Sequence, residues 1–211
     1  MIAKKYAADE SGNWGVYHQG FTANTKAASL NLMNHEATPT DAFWTWSSTT
    51  TNLLGLGFNS ITNDNTEPTI AYLWADVQGV QKFGRYTGNG AKNFVYLGFR
   101  PAIVLVKRIV ANSSPDTSTD YTSWTWMDSA RLSYNGMTPN HLFANHNEPE
   151  GYRGNGSNTS GLTDMTMEPM SNGFYLNGPG SEVNADTGTY IYCAWAEAPF
   201  QNLYGAQSNA R

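Results

Sequence analysis

The chain has 211 residues, of which 40% are hydrophobic and 13% aromatic but only 14% charged, with a net charge of −5. The apolar share supports a packed core in one large domain or two small ones, and so little charge excludes a disordered tail or a coiled coil. The 12 Lys and Arg are scattered without forming a basic stripe, which excludes nucleic acid and anionic membrane surfaces as partners.

In place of charge stand Asn, Thr, Ser and Gly, with 12 Tyr, 9 Phe and 7 Trp. These are turn formers and strand formers, so the composition predicts an all-β protein. In chain order, strands are predicted at 14–18, 29–33, 42–46, 53–58, 70–75, 94–99, 102–108, 123–128, 141–145, 174–177 and 190–196. Each is short and bounded by turn residues such as Thr87-Gly88-Asn89-Gly90 or Asn177-Gly178-Pro179-Gly180, the pattern of an antiparallel β-sandwich or jelly roll. No window of about a dozen residues keeps a clean helical apolar period. Ile103-Val104-Leu105-Val106 and Tyr190-Ile191-Tyr192-Cys193-Ala194-Trp195 are apolar throughout and should be central strands covered on both faces.

The sequence also matches itself. Ile70-Ala71-Tyr72-Leu73-Trp74-Ala75-Asp76 aligns with Ile191-Tyr192-Cys193-Ala194-Trp195-Ala196-Glu197, and at the same step of 121 residues Phe83-Gly84 aligns with Tyr204-Gly205. Asn13-Trp14-Gly15-Val16-Tyr17-His18 resembles Ser123-Trp124-Thr125-Trp126-Met127-Asp128, and Leu32-Met33-Asn34-His35 resembles Phe143-Ala144-Asn145-His146. Met1-Ile2-Ala3-Lys4-Lys5 answers Val104-Leu105-Val106-Lys107-Arg108. These matches predict two internally repeated β units, 1–90 and 91–211, packed as one body or two. The first unit starts at the counterpart of its second strand, so the equivalent of Phe94-Val95-Tyr96-Leu97-Gly98-Phe99 is missing from it. A sheet edge left bare there would invite β-augmentation by the other unit or a neighbouring subunit.

Several of these motifs carry a family resemblance. Arg85-Tyr86-Thr87-Gly88-Asn89-Gly90, the run from Phe94 to Arg108, Met127-Asp128-Ser129-Ala130-Arg131, Ser171-Asn172-Gly173-Phe174 and Gly188 to Glu197 resemble a tandem β domain of tail and virion structural proteins of aquatic bacteriophages. That domain lies beside concanavalin-like, laminin-G-type modules. The resemblance implies a virion protein, made in the host cytoplasm, serving in a tail fibre, a baseplate or a surface decoration. Its partners would be other virion subunits, including copies of itself. The family brings no catalytic residues to carry over.

Read for chemistry, the residues point to no enzyme. There is no nucleophile elbow, and the single cysteine, Cys193, lies in the most apolar strand, where a thiol acts as a small hydrophobe. With one cysteine no internal disulfide can form, and residues 1–11 hold no apolar segment of a signal peptide. His18, His35, His141 and His146 lack metal-ligand spacing, and His35 and His146, each following Asn, suggest a shared loop hydrogen bond. Asp128, Glu148, Glu150, Glu168 and Glu197 are acids a polysaccharide depolymerase could use, but no spacing pairs them. The one cofactor the sequence offers a place for is Ca²⁺: Asn63, Asp64, Asn184 and Asp186 fall in equivalent loops and supply hard oxygen ligands. Trp44 with Trp46, and Trp124 with Trp126, would share a strand face. All four packing between the sheets is the favoured expectation from the core usage of Trp; otherwise one of each pair is exposed, to stack on a host surface glycan or anchor a subunit interface, while the other packs in the core. The leading expectation is therefore a non-enzymatic virion structural protein, and the alternative a lectin-like carbohydrate or receptor-binding module.

Overall fold

The computed structural model describes residues 1–6, 12–45, 53–65, 67–110, 123–131, 141–151 and 166–198. Among them every regular element is a β-strand and every strand pairing is antiparallel. Two compact units divide the chain, Met1–Trp74 and Ala75–Arg211.

The first unit is built on one sheet of four strands, β1 (Ile2–Lys5), β2 (Gly15–Val16), β3 (Ala28–Ser29) and β4 (Thr69–Tyr72), in the order β3-β2-β1-β4. Side chains alternate across a sheet, and here the inward positions are small: Ala3 pairs with Gly15 on one side and Ala71 on the other. The space is taken by rings. Phe43 and Trp44 are buried with Ala3 and Ala27, and Tyr17, Leu56, Ile61 and Ala71 pack against them. A Cβ at Gly15 would come within 3.2 Å of the Phe43 ring and 3.0 Å of Thr62 Cγ2. The strands predicted at 42–46 and 53–58 are represented, among the described residues, by a single bridge from Trp44 to Leu56.

The second unit is a β-sandwich. Its larger sheet comprises β5 (Gln81–Thr87), β7 (Pro101–Val110), β8 (Thr125–Asp128), β9 (Leu142–Phe143) and β12 (Thr189–Ala196) in the order β5-β12-β7-β8-β9. The smaller comprises β6 (Asn93–Tyr96), β10 (Thr166–Met170) and β11 (Gly173–Asn177) in the order β10-β11-β6. Val104, Val106, Met127, Tyr190, Tyr192 and Ala194 from the larger sheet form one core with Val95, Met167, Phe174 and Leu176 from the smaller. The two wholly apolar runs are the central strands β7 and β12, as their composition requires.

The two four-strand arrays share a connection pattern. The first is β3-β2-β1-β4 and the second, leaving β5 aside, is β9-β8-β7-β12. Ile70 pairs with Lys4 as Ile191 pairs with Lys107, and Ala71 with Ala3 as Tyr192 with Val106. Ile2 pairs with Val16 as Leu105 pairs with Trp126. The turns that precede β4 and β12 also correspond: the Thr62 and Asn63 amides bond Asn59 O, and the Val183 and Asn184 amides bond Gly180 O. The Trp14 amide donates to Asn31 Oδ1 at 2.9 Å, and the Trp124 amide to Asn145 Oδ1 at 2.8 Å. The residue that meets the Trp14 amide is thus Asn31 and not Asn34, the residue before His35.

Candidate functional site

In the first unit β4 forms one edge of the sheet, and its outer side carries no strand among the described residues. Its pattern puts Ala71 toward the core, opposite Ala3, and turns Ile70 and Tyr72 outward, opposite Lys4 and Ile2. Ile70 is 44% exposed, Tyr72 43%, Leu73 60% and Trp74 40%. The Tyr72 and Trp74 rings stack at 6.3 Å with planes 23° apart, as residues two apart on one strand face can. The result is a short apolar ledge along a strand edge that pairs with no other strand among the described residues.

Other edges are guarded. In the second unit β5 carries Lys82 and Arg85, β10 carries Glu168 and Pro169, and β9 has only two residues. β6 bears exposed Phe94 and Tyr96, but Lys82 Nζ bonds Tyr96 O at 3.0 Å and sits 5.1 Å over its ring. Charge, proline and brevity are the usual devices that keep an edge from pairing. The run from Thr69 to Trp74 has neither charge nor proline.

The tryptophans named from sequence divide. Trp44 is 5% exposed and Trp124 2%, and both serve the interior: Trp44 packs edge-on to Tyr17 and Phe43 at 6.2 and 5.8 Å. Trp126 is half-buried and stacks on Trp195 at 6.4 Å. On β8 it is Met127 that enters the core of the sandwich. Trp46 lies outside the described residues. Sequence reading missed Tyr72 and Trp74 as surface aromatics, although their spacing of two in a strand was the available signal.

Of the residues proposed for Ca²⁺, Asn184 and Asp64 have other side-chain partners. Asn184 is buried, and its Oδ1 accepts from the Asn89 amide at 3.2 Å and from Asn93 Nδ2 at 3.0 Å. Its Nδ2 donates to Ala91 O at 2.6 Å and Gly178 O at 2.9 Å. A ligand amide would have its oxygen aimed at a cation; here it is saturated by N–H donors, so Asn184 is a clip between loops. Asp186 is exposed, and its backbone oxygen accepts from Thr187 Oγ1. Asn63 is exposed and Asp64 pairs with Lys5 at 3.8 Å. No group of three or more His, Cys, Asp or Glu side chains fit for a metal occurs among the described residues.

Around the clip the second unit's loops are tied by phenols. Tyr86 Oη donates to Val183 O at 2.5 Å and Tyr190 Oη to Ser181 O at 2.7 Å, and the two rings stack at 5.2 Å. Burial pushes the Tyr86 hydroxyl well above its usual range and that of Tyr192 up to about 12, so both stay protonated. Burial likewise pushes the Cys193 thiol up to about 12, away from nucleophilic use. His18 Nδ1 accepts the Gly20 amide at 2.9 Å, a turn contact. Of the acids, Asp128 is bound by Arg131, Glu168 by Lys92 at 3.1 Å and Glu197 by Arg100 at 2.7 Å, each by a different cation.

Compared with known families, residues 1–199 match a domain of unknown function (DUF7483). No curated protein and no solved structure matches the chain.

Proposed function

Because the chain belongs to the DUF7483 family, whose function is unknown, its role must be read from its surfaces, and we propose that it is a non-enzymatic structural protein of a bacteriophage particle. It acts by assembly contacts. The observation that carries this reading is the β4 edge, where Ile70, Tyr72, Leu73 and Trp74 lie exposed on a strand whose outer side meets no other strand among the described residues. Such an edge is a template for another chain, and a protein without a strand partner for it would be expected to blunt it. The resemblance of the Arg85 to Arg108 motifs to tail proteins of aquatic bacteriophages supplies the setting.

The reading also accounts for the chemistry of the rest. Tyrosines and a cysteine held protonated, and Asp128, Glu168 and Glu197 each paired with its own cation, suit a rigid scaffold better than an acid–base catalyst. The test is immunogold labelling of purified particles with an antibody to this chain, beside a glycan array run with and without EDTA. Regular labelling of the particle with no glycan bound is the expected result. Particles that lack the chain would overturn the proposal, and saturable glycan binding would move the Tyr72 and Trp74 ledge to a lectin-like role.

A further inference from the structure

We infer that Asp76 is an edge lock: its carboxylate takes the place of a neighbouring strand beside β5 and keeps this edge of the second unit from pairing with another chain. The lock does not depend on the role proposed for β4. Along an antiparallel strand the backbone groups of alternate residues point to the same side. The Phe83 amide donates to Asp76 Oδ1 at 2.8 Å. Gln81 exchanges two backbone bonds with Val77, each of 3.0 Å. Gln81 and Phe83, and by alternation Arg85 and Thr87, therefore turn their backbone groups away from β12, while Lys82, Gly84 and Tyr86 turn theirs toward it.

The chain enters β5 through the start of a hairpin. Val77-Gln78-Gly79-Val80-Gln81 has a three-residue loop, with the Val80 amide donating to Val77 O at 3.0 Å and Gly79 left-handed at φ 75°, the place where such a loop needs glycine. Continued in that register, the ladder would put Ala75 opposite Phe83 and give the Phe83 amide to Ala75 O. It stops one step short. Gln81 Nε2 donates to Ala75 O at 2.7 Å instead, and the Asp76 carboxylate stands in for the missing carbonyl.

A carboxylate suits that place better than a backbone carbonyl would. Its bond to the amide is charge-assisted, and an incoming strand would have to displace and desolvate an exposed charge to reach Phe83. The other end of β5 is held in the same manner: Asn93 Nδ2 donates to Thr87 O at 2.8 Å. Between the two lies Arg85, exposed and charged. Side chains of the same unit thus hold outward backbone groups at both ends of β5.

The test is amide hydrogen exchange, read residue by residue by NMR on the full chain, for the wild type, Asp76→Ala and Asp76→Asn. In Asp76→Ala the Phe83 amide is expected to exchange on the order of tenfold faster, because a bond to a charged acceptor is lost. The Gly84 and Tyr86 amides, which face β12, should keep their wild-type rates and so report that β5 is intact. Asp76→Asn retains an acceptor oxygen and should stay close to the wild type. Sedimentation velocity supplies the second readout: Asp76→Ala should associate more strongly than the wild type. Adding Arg85→Pro should remove that gain, since proline is tolerated on an edge strand but offers an incoming strand no amide. Equal protection of Phe83 in the wild type and Asp76→Ala would overturn the inference. So would faster exchange at Gly84 and Tyr86 as well, which would make Asp76 a support of the whole strand, or a released Phe83 amide with no gain in association. Association of the wild type itself bears only on the reading of β4.

Discussion

Asn184→Ala is expected to destabilise the second unit by about 4 kcal/mol. The side chain makes four hydrogen bonds of 3.2 Å or less, to the Asn89 amide, Asn93 Nδ2, Ala91 O and Gly178 O. Net contributions of about 1 kcal/mol each give that total, and a buried group left without a partner costs more than the mean. The loss should lower the midpoint by roughly 10 to 15 °C for a unit of this size. Urea denaturation followed by tryptophan fluorescence, with scanning calorimetry beside it, would measure both. Asn184→Asp sharpens the test, because it keeps the shape but turns two donors into acceptors facing the Ala91 and Gly178 carbonyls. If the residue is a clip, the Asp variant is at least as damaged as Ala and calcium does not help. A loss below about 1 kcal/mol for Ala, or recovery of the Asp variant by millimolar Ca²⁺, would refute the reasoning and restore the calcium site.

Two further predictions concern titrating groups. With its pKa moved from an ordinary 9.0 to about 12, the Cys193 thiol should carry on the order of a thousandfold less thiolate at pH 8 than an unfolded one. Ellman's reagent should therefore react slowly with the native chain and at once in urea; fast native labelling would show the strand to be open there. The Asp128 carboxyl is pushed up by burial but held below its ordinary 3.8 by bonds from Arg131. A lowered folded-state pKa means the stabilisation is fully present above 3.8 and is lost as pH falls through the folded value. Thermal melts from neutral pH to pH 2 should show a steep acid limb that Asp128→Asn makes shallower. An unchanged slope would remove Asp128 from the acid response.

The sequence made some parts of this fold legible and hid others for identifiable reasons. Val104-Leu105-Val106 and Ile191-Tyr192 read as central strands because both faces are covered, and both are central. β5 and β10 escaped because glycine at 84 and proline at 169 interrupt them. Each is explained by its place: Gly84 sits under the Tyr192 ring, and Pro169 is on an edge strand, where a missing amide can be tolerated. Asn184 read as a cation ligand because an amide oxygen in a loop looks the same whether it meets a metal or a backbone amide. Only its three-dimensional surroundings separate the two. Trp44 and Trp124 were ambiguous for a related reason, since a tryptophan in a strand suits a core and a binding face equally.

The low charge of the chain takes on meaning from where the charges stand. Lys82 covers Tyr96 on β6, Lys92 bonds Glu168 on β10, and Arg100 bonds Glu197 just beyond β12. In the first unit Lys4 lies over Trp14 and Lys5 pairs with Asp64. Exposed pairs of this sort add little stability, but placed on strands and beside them they discourage unwanted pairing. The run from Thr69 to Trp74 has no such residue, although one lysine there would have served. On the proposed assembly role, an apolar, uncharged strand at a sheet edge among the described residues is a surface that a partner strand can pair with, needing only a complementary alternation of side chains to recognise it.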